Sequence, residues 1–268
     1  MATEDNEANR PPSSLELLWG VRDRPRRGPK PKLTVAGIVQ AAVDLADAEG
    51  IDALSMQRIA KEFGYTTMSL YRYVPGKEQL LDLMFDAGSG PVPPVEEDVR
   101  DWRGEIGWWV RAQQRIYRRH PWMLRVAIDR PPVGPNNLAW MEAGLRATAK
   151  SGLSQVESIE LIMFVTGAVR ELSRIEEDMR QRLRSSGTTA RQMDLDYAAA
   201  LKRVVDPGTY PTLAGMLADG VFDSPAPREP GEPGELMETE LTFGLQRLFD
   251  GIESYVRARA SGEEPERR

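Results

Sequence analysis

The sequence predicts an all-α fold, and three observations predict it. Apolar residues recur at helical intervals of three and four along most of the chain, no segment alternates apolar with polar residues, and prolines and glycines punctuate the periodic stretches. A length of 268 residues with 41% hydrophobic content suffices for a substantial core in one large or two ordinary domains. There is no internal repeat.

Taken in order, residues 1–21 are mostly polar and are expected to form a mobile tail, with one short helical turn near Leu15 to Trp19. Residues 22–32 form a basic arm in which Arg22, Arg24, Arg26, Arg27, Lys30 and Lys32 face the single acid Asp23. Its prolines forbid a regular helix. Thr34 then caps a helix running to about Glu49, with Val35, Ile38, Val39, Ala42, Leu45 and Ala46 as its apolar stripe and Gly50 as its end.

Ser55 caps the next helix, where Met56, Ile59, Ala60 and Phe63 recur at helical spacing before Gly64. Gly64 suits the left-handed conformation of a helix C-terminus, and Thr66 is expected to cap a second short helix holding Leu70 and Tyr73. Ala60, one turn before Gly64, lets the two helices cross closely. This is the pattern of a helix-turn-helix, whose second helix enters a major groove about 12 Å wide. The basic arm directly before it is suited to phosphates or an adjacent minor groove through Arg24, Arg26, Arg27, Lys30 and Lys32.

A fourth helix spans Lys77 to about Ala87, buried through Leu80, Leu81, Met84 and Phe85, and the Gly- and Pro-rich segment after it marks a domain boundary near residue 90. The expected units are residues 33–89 and 96–261. In the second, helices are expected near Val99 to Arg119, Pro121 to Ile128, Asn136 to Ser151, Ser154 to Arg184, Thr189 to Val205, Tyr210 to Ala218 and Glu235 to Ala260. Residues 223–234 read as a mobile loop.

Charge and composition limit the function classes. A net charge of −6 excludes a polycation that coats nucleic acid, so any DNA contact is local. Without cysteine there are no disulfides, thiolate metal sites or cysteine nucleophiles. The acidic start carries no apolar export signal, and the longest apolar run, Leu161 to Val169, falls far short of the roughly 20 residues that span a bilayer. A cytoplasmic protein without membrane association is expected. With one histidine and no recognisable triad, phosphate loop or metal cluster, no enzyme activity, cofactor or metal is expected.

Residues 33–87 resemble the DNA-binding domain of TetR-type bacterial transcriptional regulators, through LTVAGIVQAAVDLADAEGIDALSMQRIAKEFG, TTMSLYRYV and GKEQLLDLM. The region beyond residue 100 is similar to the tetracycline-repressor type of regulatory domain, through YRRHPWM, ESIELIMFVTGAV and a long final helix. The resemblance implies that Gln57, Thr67, Met68, Ser69 and Arg72 face base edges while Ser55, Tyr71, Tyr73 and Lys77 hold phosphates. The chemistry suits each: Gln pairs with adenine, Arg with guanine, and hydroxyls or an ammonium set register on phosphates. Leu70 is expected to face the helix–helix core instead.

The distal aromatic and methionine residues suit either ordinary core or an apolar ligand cavity. The expected cavity residues are Trp109, His120, Trp122, Trp140, Met141, Met163 and Phe164, with His120 placed near the mouth by the resemblance. His120 is the only histidine and no hydroxyl or carboxylate stands in Trp122 to Arg125, so metal-assisted drug binding is not expected. The long helix from Ser154 and the final helix carry the stripes Val165, Ala168, Val169, Leu172 and Leu241, Leu245, Leu248, Phe249, Ile252. The resemblance implies that these two helices pair with their copies in a four-helix bundle. The expected protein is thus a homodimeric, ligand-responsive regulator, a repressor released from a palindromic operator by a small apolar or amphipathic effector. A protein-interaction adaptor that no longer reads DNA is the alternative, and an enzyme using the distal pocket a further one.

Overall fold

The computed structural model describes residues 12–20, 33–97, 99–129, 131, 133–223 and 235–262, the side chains of 235–241 excepted. The tail before residue 12, the basic arm with Arg24, Arg26, Arg27, Lys30 and Lys32, the loop from 224 to 234 and the Leu241 side chain lie outside the described residues.

The described residues are helical with no strand. In order the α-helices are α1 (Ser14–Leu18), α2 (Val35–Glu49), α3 (Met56–Glu62), α4 (Thr67–Tyr71), α5 (Lys77–Ser89), α6 (Trp102–Arg119), α7 (Pro135–Thr148), α8 (Gln155–Ser186), α9 (Ala190–Val204), α10 (Pro211–Ala218) and α11 (Glu235–Ala260). Two expected boundaries move. The sixth helix begins at Trp102 because Asp101 caps it, its carboxylate accepting from the Gly104 amide at 2.7 Å. The segment expected as a helix from Pro121 to Ile128 is a tight 3₁₀ turn, Pro121–Arg125, too short of following residues to continue before the Pro-rich stretch.

Packing separates the chain into two units, Met1–Glu171 with Leu245–Arg268, and Leu172–Gly244. The first holds α1 to α7, the first half of α8 and most of α11. Its N-terminal part is built on Ile38, Ala42, Ile59, Leu70, Val74, Leu80 and Met84, all fully or almost fully buried. Farther along, α6 contributes Trp102, Ile106, Trp109 and Val110 to the core. Trp102 meets Phe249 of α11 edge-on at 4.9 Å, and beside that contact Arg103 reaches Glu253 and Asp250 at 2.7 and 2.8 Å. Gly144 of α7 lets three helices close: a Cβ there would lie 2.8 Å from Ile162 and 3.1 Å from the Trp109 ring.

In the second unit α9 and α10 pack together, with Ala198 buried, Tyr197 against Phe222 at 6.3 Å, and Lys202 paired with Asp223 at 2.5 Å. No described helix is long and apolar enough to cross a membrane.

The start of α8 is tied to the end of α11. Ser154 and Glu157 form a reciprocal capping box, with the Ser154 amide donating to Glu157 at 2.6 Å and the Glu157 amide to the Ser154 hydroxyl at 3.3 Å. Glu157 also accepts from the Tyr255 hydroxyl at 2.6 Å and from Arg259 at 3.0 Å. The Tyr255 hydrogen bond first, then the Ser154 bonds, lower its pKa from 4.5 to about 2. A depressed carboxylate pKa adds stability above pH 4.5 that is lost as pH falls toward about 2. Glu157→Gln should therefore lower the melting temperature at neutral pH, with the gap to the unsubstituted protein closing as pH falls toward about 2. An unchanged acid limb would contradict this.

Candidate nucleic-acid interface and its connection to the helical body

The turn between α3 and α4 is closed by the backbone itself. Gly64 adopts φ +69°, its amide bonds Lys61 O at 3.1 Å, and the Tyr65 amide bonds Ala60 O at 2.9 Å. These two bonds are the Schellman pair that a left-handed residue permits. They turn the chain so that α4 crosses α3 with Leu70 fully buried against Ile59 and Ala60 at the same core. Only five residues long, α4 is held by that burial and not by its own propensity.

Because Leu70 points inward, its neighbours point out. Met68 is 73% exposed, Arg72 is exposed, and Thr67 and Ser69 are half-exposed on the same short helix. Gln57, one helix earlier, is exposed as well. Among the expected phosphate ligands Lys77 is exposed at the first position of α5, Tyr71 is exposed and Tyr73 half-buried. The Ser55 hydroxyl accepts from the Arg58 amide at 3.2 Å as the cap of α3, which leaves its proton for an outside acceptor. Thr66, the residue before α4, does not cap with its side chain. Its hydroxyl instead lies 3.1 Å from that of Ser69, a pair readable from their spacing of three that sequence reasoning missed. Arg58, exposed on α3, pairs with Glu49 at 2.5 Å.

This head is fastened to the rest of its unit at two places that the sequence reading did not anticipate. At the first, Asp86 of α5 performs the capping task for α7. Gly134, the N-cap residue of α7, has no side chain to accept from the helix, and Asp86 takes its place from a different helix. The carboxylate accepts from the Asn137 amide at 2.9 Å, the Asn136 amide at 3.4 Å and both side-chain amides at 3.0 and 3.2 Å. A negative group at a helix N-terminus is favoured by the helix dipole as well as by these bonds. Burial is nevertheless the largest influence and pushes the Asp86 carboxyl above its ordinary value, against hydrogen bonds from Asn137 and Asn136 that pull it down. Ser89 adds a bond to Asn137 at 2.9 Å, and Trp140 Nε1 donates to the Ser89 and Gly90 carbonyls at 3.2 and 3.0 Å. The signal available in the sequence was an acid three residues after Leu83 on the buried face of α5, facing the pair Asn136 and Asn137.

At the second, Asp47 of α2 receives the Trp122 indole N–H at 2.7 Å and stands 2.9 Å from His120 Nδ1. Two expected cavity residues thus turn a polar atom toward α2, His120 through Nδ1 and Trp122 through its indole N–H. Trp109 and Trp140 are core, joined by a bond from Trp109 Nε1 to Trp140 O at 2.9 Å. Met141 is half-exposed. Met163 and Phe164 lie on the outer surface of α8, 63% and 65% exposed. The structure therefore does not bring the seven expected cavity residues together.

The dimer stripes shift for a related reason. Val165 and Val169 are fully buried within the protomer, and Leu245 and Phe249 are largely buried. Ala168, Leu172, Leu248 and Ile252 are half-buried. Among the apolar residues that α8 leaves outside are Val156, Ile159, Met163 and Phe164, with Gly167 one turn on open to space.

Comparison with known proteins fits this arrangement. Residues 38–84 match the family described as bacterial regulatory proteins, tetR family, and residues 93–256 match the tetracyclin repressor-like C-terminal domain. The HTH-type transcriptional repressor DrrR1 of Streptomyces coeruleorubidus is 38% identical over 256 residues, 94% of this chain and 89% of that one. The HTH-type transcriptional repressor Rv1353c of Mycobacterium tuberculosis is 25% identical over 95% of this chain and 93% of its own length. Among solved structures, ActR of Streptomyces coelicolor superimposes with a TM-score of 0.66 at 26% identity, covering 86% of this chain and all of that one. The same protein in complex with actinorhodin gives 0.64 at 26% identity over 87% and 99% of the two chains.

Proposed function

This chain belongs to the TetR family of bacterial regulators, and from that membership we propose that it is a homodimeric repressor, released from a palindromic operator by a small apolar or amphipathic effector. It is a DNA-binding transcriptional regulator and not an enzyme. The observation that carries the reading is the outward set Thr67, Met68, Ser69 and Arg72 around a fully buried Leu70. Residues 33–89 act as the reading head and 96–261 as the regulatory body, working in the cytoplasm where the DNA is.

Two heads on a two-fold axis meet half-sites about 34–36 Å apart or a multiple of that. We assign the dimer contact to the outer face of α8, Val156, Ile159, Met163, Phe164 and Gly167, in place of Val165 and Val169, which the protomer itself buries. Effector control is supported by the likeness to ActR, seen in complex with actinorhodin and with (S)-DNPA. An effector shifts the balance of DNA-bound and free forms only by its differential affinity for the two, so a change from 1:99 to 99:1 needs about 5.5 kcal/mol.

A gel shift with the DNA upstream of the gene tests the reading. Gln57→Ala should relax sequence preference, costing about 1–3 kcal/mol on the native site and little on others. Lys77→Ala should weaken all sequences alike and reduce the salt slope by about one. A protein-interaction adaptor would leave every duplex unshifted at low salt, and that result would end the proposal.

A further inference from the structure

The DNA reading leaves unused a set of polar side chains in the interior of the helical body. Tyr117 of α6 is buried, and the Arg170 guanidinium of α8 stands close enough to act electrostatically on its hydroxyl. Arg170 spends one nitrogen, Nη2, on the Leu124 and Val126 carbonyls, the first at 3.3 Å. Its other terminal nitrogen, Nη1, is buried with no hydrogen-bond partner. No carboxylate pairs with Arg170 among the described residues. Gln113 and Gln114, both buried, stand one turn before Tyr117 on α6, and the side-chain nitrogen of each is likewise buried and unbonded.

An ordered water answers one such group; this set asks for more. These three atoms are donors, so what completes each must accept. One belongs to an arginine, which cannot shed its charge at any ordinary pH, so the accepting group is best an anion. A guanidinium whose remaining edge faces a carboxylate or phenolate gains charge-assisted bonds that a neutral acceptor does not give. Gln113 lies in line with both Trp109 and Tyr117, four residues to either side, so aromatic surface flanks the polar end.

We propose that Arg170, with Tyr117 and Gln113, anchors an acidic oxygen group, a carboxylate or phenolate, on an otherwise apolar effector. This rests on the effector-controlled reading above and names the chemistry its ligand must carry. Arg170 sets specificity, since an uncharged analogue of the same shape forfeits the ion pair and leaves the cation as it was.

Calorimetric titration of the full chain with naphthoate and with the isosteric, uncharged naphthamide tests it. Naphthoate should bind about tenfold more tightly. Arg170→Gln should abolish that preference, bringing the two affinities to the same value. Gln113→Glu, which puts a carboxylate inside the protein beside Tyr117, should also abolish it and raise the melting temperature, and this decides the matter if Arg170→Gln folds poorly. Equal affinity for acid and amide, a preference that survives both substitutions, or no binding of either compound overturns the anchor. Promoter DNA titrated with the wild-type protein in the same buffer separates the two failures: a gel shift with no acid preference removes the anchor alone, and no shift removes the regulator reading.

Discussion

Phe164→Glu on the outer face of α8 should make the protein monomeric and lower its affinity for promoter DNA by about 10²–10⁴-fold, the gain that linking two binding heads confers. The reason is where the helix leaves its apolar surface. Val156, Ile159, Met163 and Phe164 occupy neighbouring turns and are all exposed, a contiguous patch of the kind that marks an interface. A carboxylate at its centre has no partner in the protomer and must be desolvated when two copies meet. Val165→Glu, one residue away, should behave differently. Val165 is fully buried, so the charge enters the core and the protein loses stability by about 3–5 kcal/mol instead of merely dissociating. Sedimentation, thermal denaturation and gel shifts on the two variants distinguish these outcomes. A Phe164→Glu protein that remains dimeric and grips DNA with undiminished affinity would place the dimer contact elsewhere.

Gly134→Ala should destabilise the protein by about 3 kcal/mol, although the backbone there, at φ −77° and ψ 151°, suits any residue. What glycine supplies is room. A Cβ would fall 2.1 Å from the Asp86 carboxylate oxygen and 2.4 Å from its carboxyl carbon, so Asp86 must retreat from the four N–H donors that it caps. Asp86→Ala should cost about 1–3 kcal/mol by leaving the Asn136 and Asn137 amides unmet. In the double variant the obstructing carboxylate is absent, so the cost of Gly134→Ala should shrink sharply, a coupling that denaturant titration of the four proteins measures directly. Additive costs would show that Asp86 and Gly134 do not share one contact.

The helices and the head were legible because they rest on local rules. Thr34 and Ser55 are caps, Gly64 is the left-handed turn, and Leu70 is the buried pivot, each judged from residues within one or two turns. Legibility failed where a residue's role depends on a distant partner. The resemblance sets His120 at a cavity mouth and Trp122 reads as one of the distal aromatic residues, yet a polar atom of each answers Asp47, more than seventy positions away. Asp86 belongs with Asn136 and Asn137 fifty residues on, a pairing that helical periodicity does not encode.

The chain alone determined that this protein is all-α and where most helices start and stop, because spacing, caps and turns are properties of neighbouring residues. Only the tertiary structure decided which apolar side of α8 is core and which is left for a second copy. That helix is apolar on more than one side, and the choice belongs to the helices that cover it: Val165 and Val169 are enclosed, Met163 and Phe164 are not, and a shift of a single residue along a helix turns a side chain by about 100°.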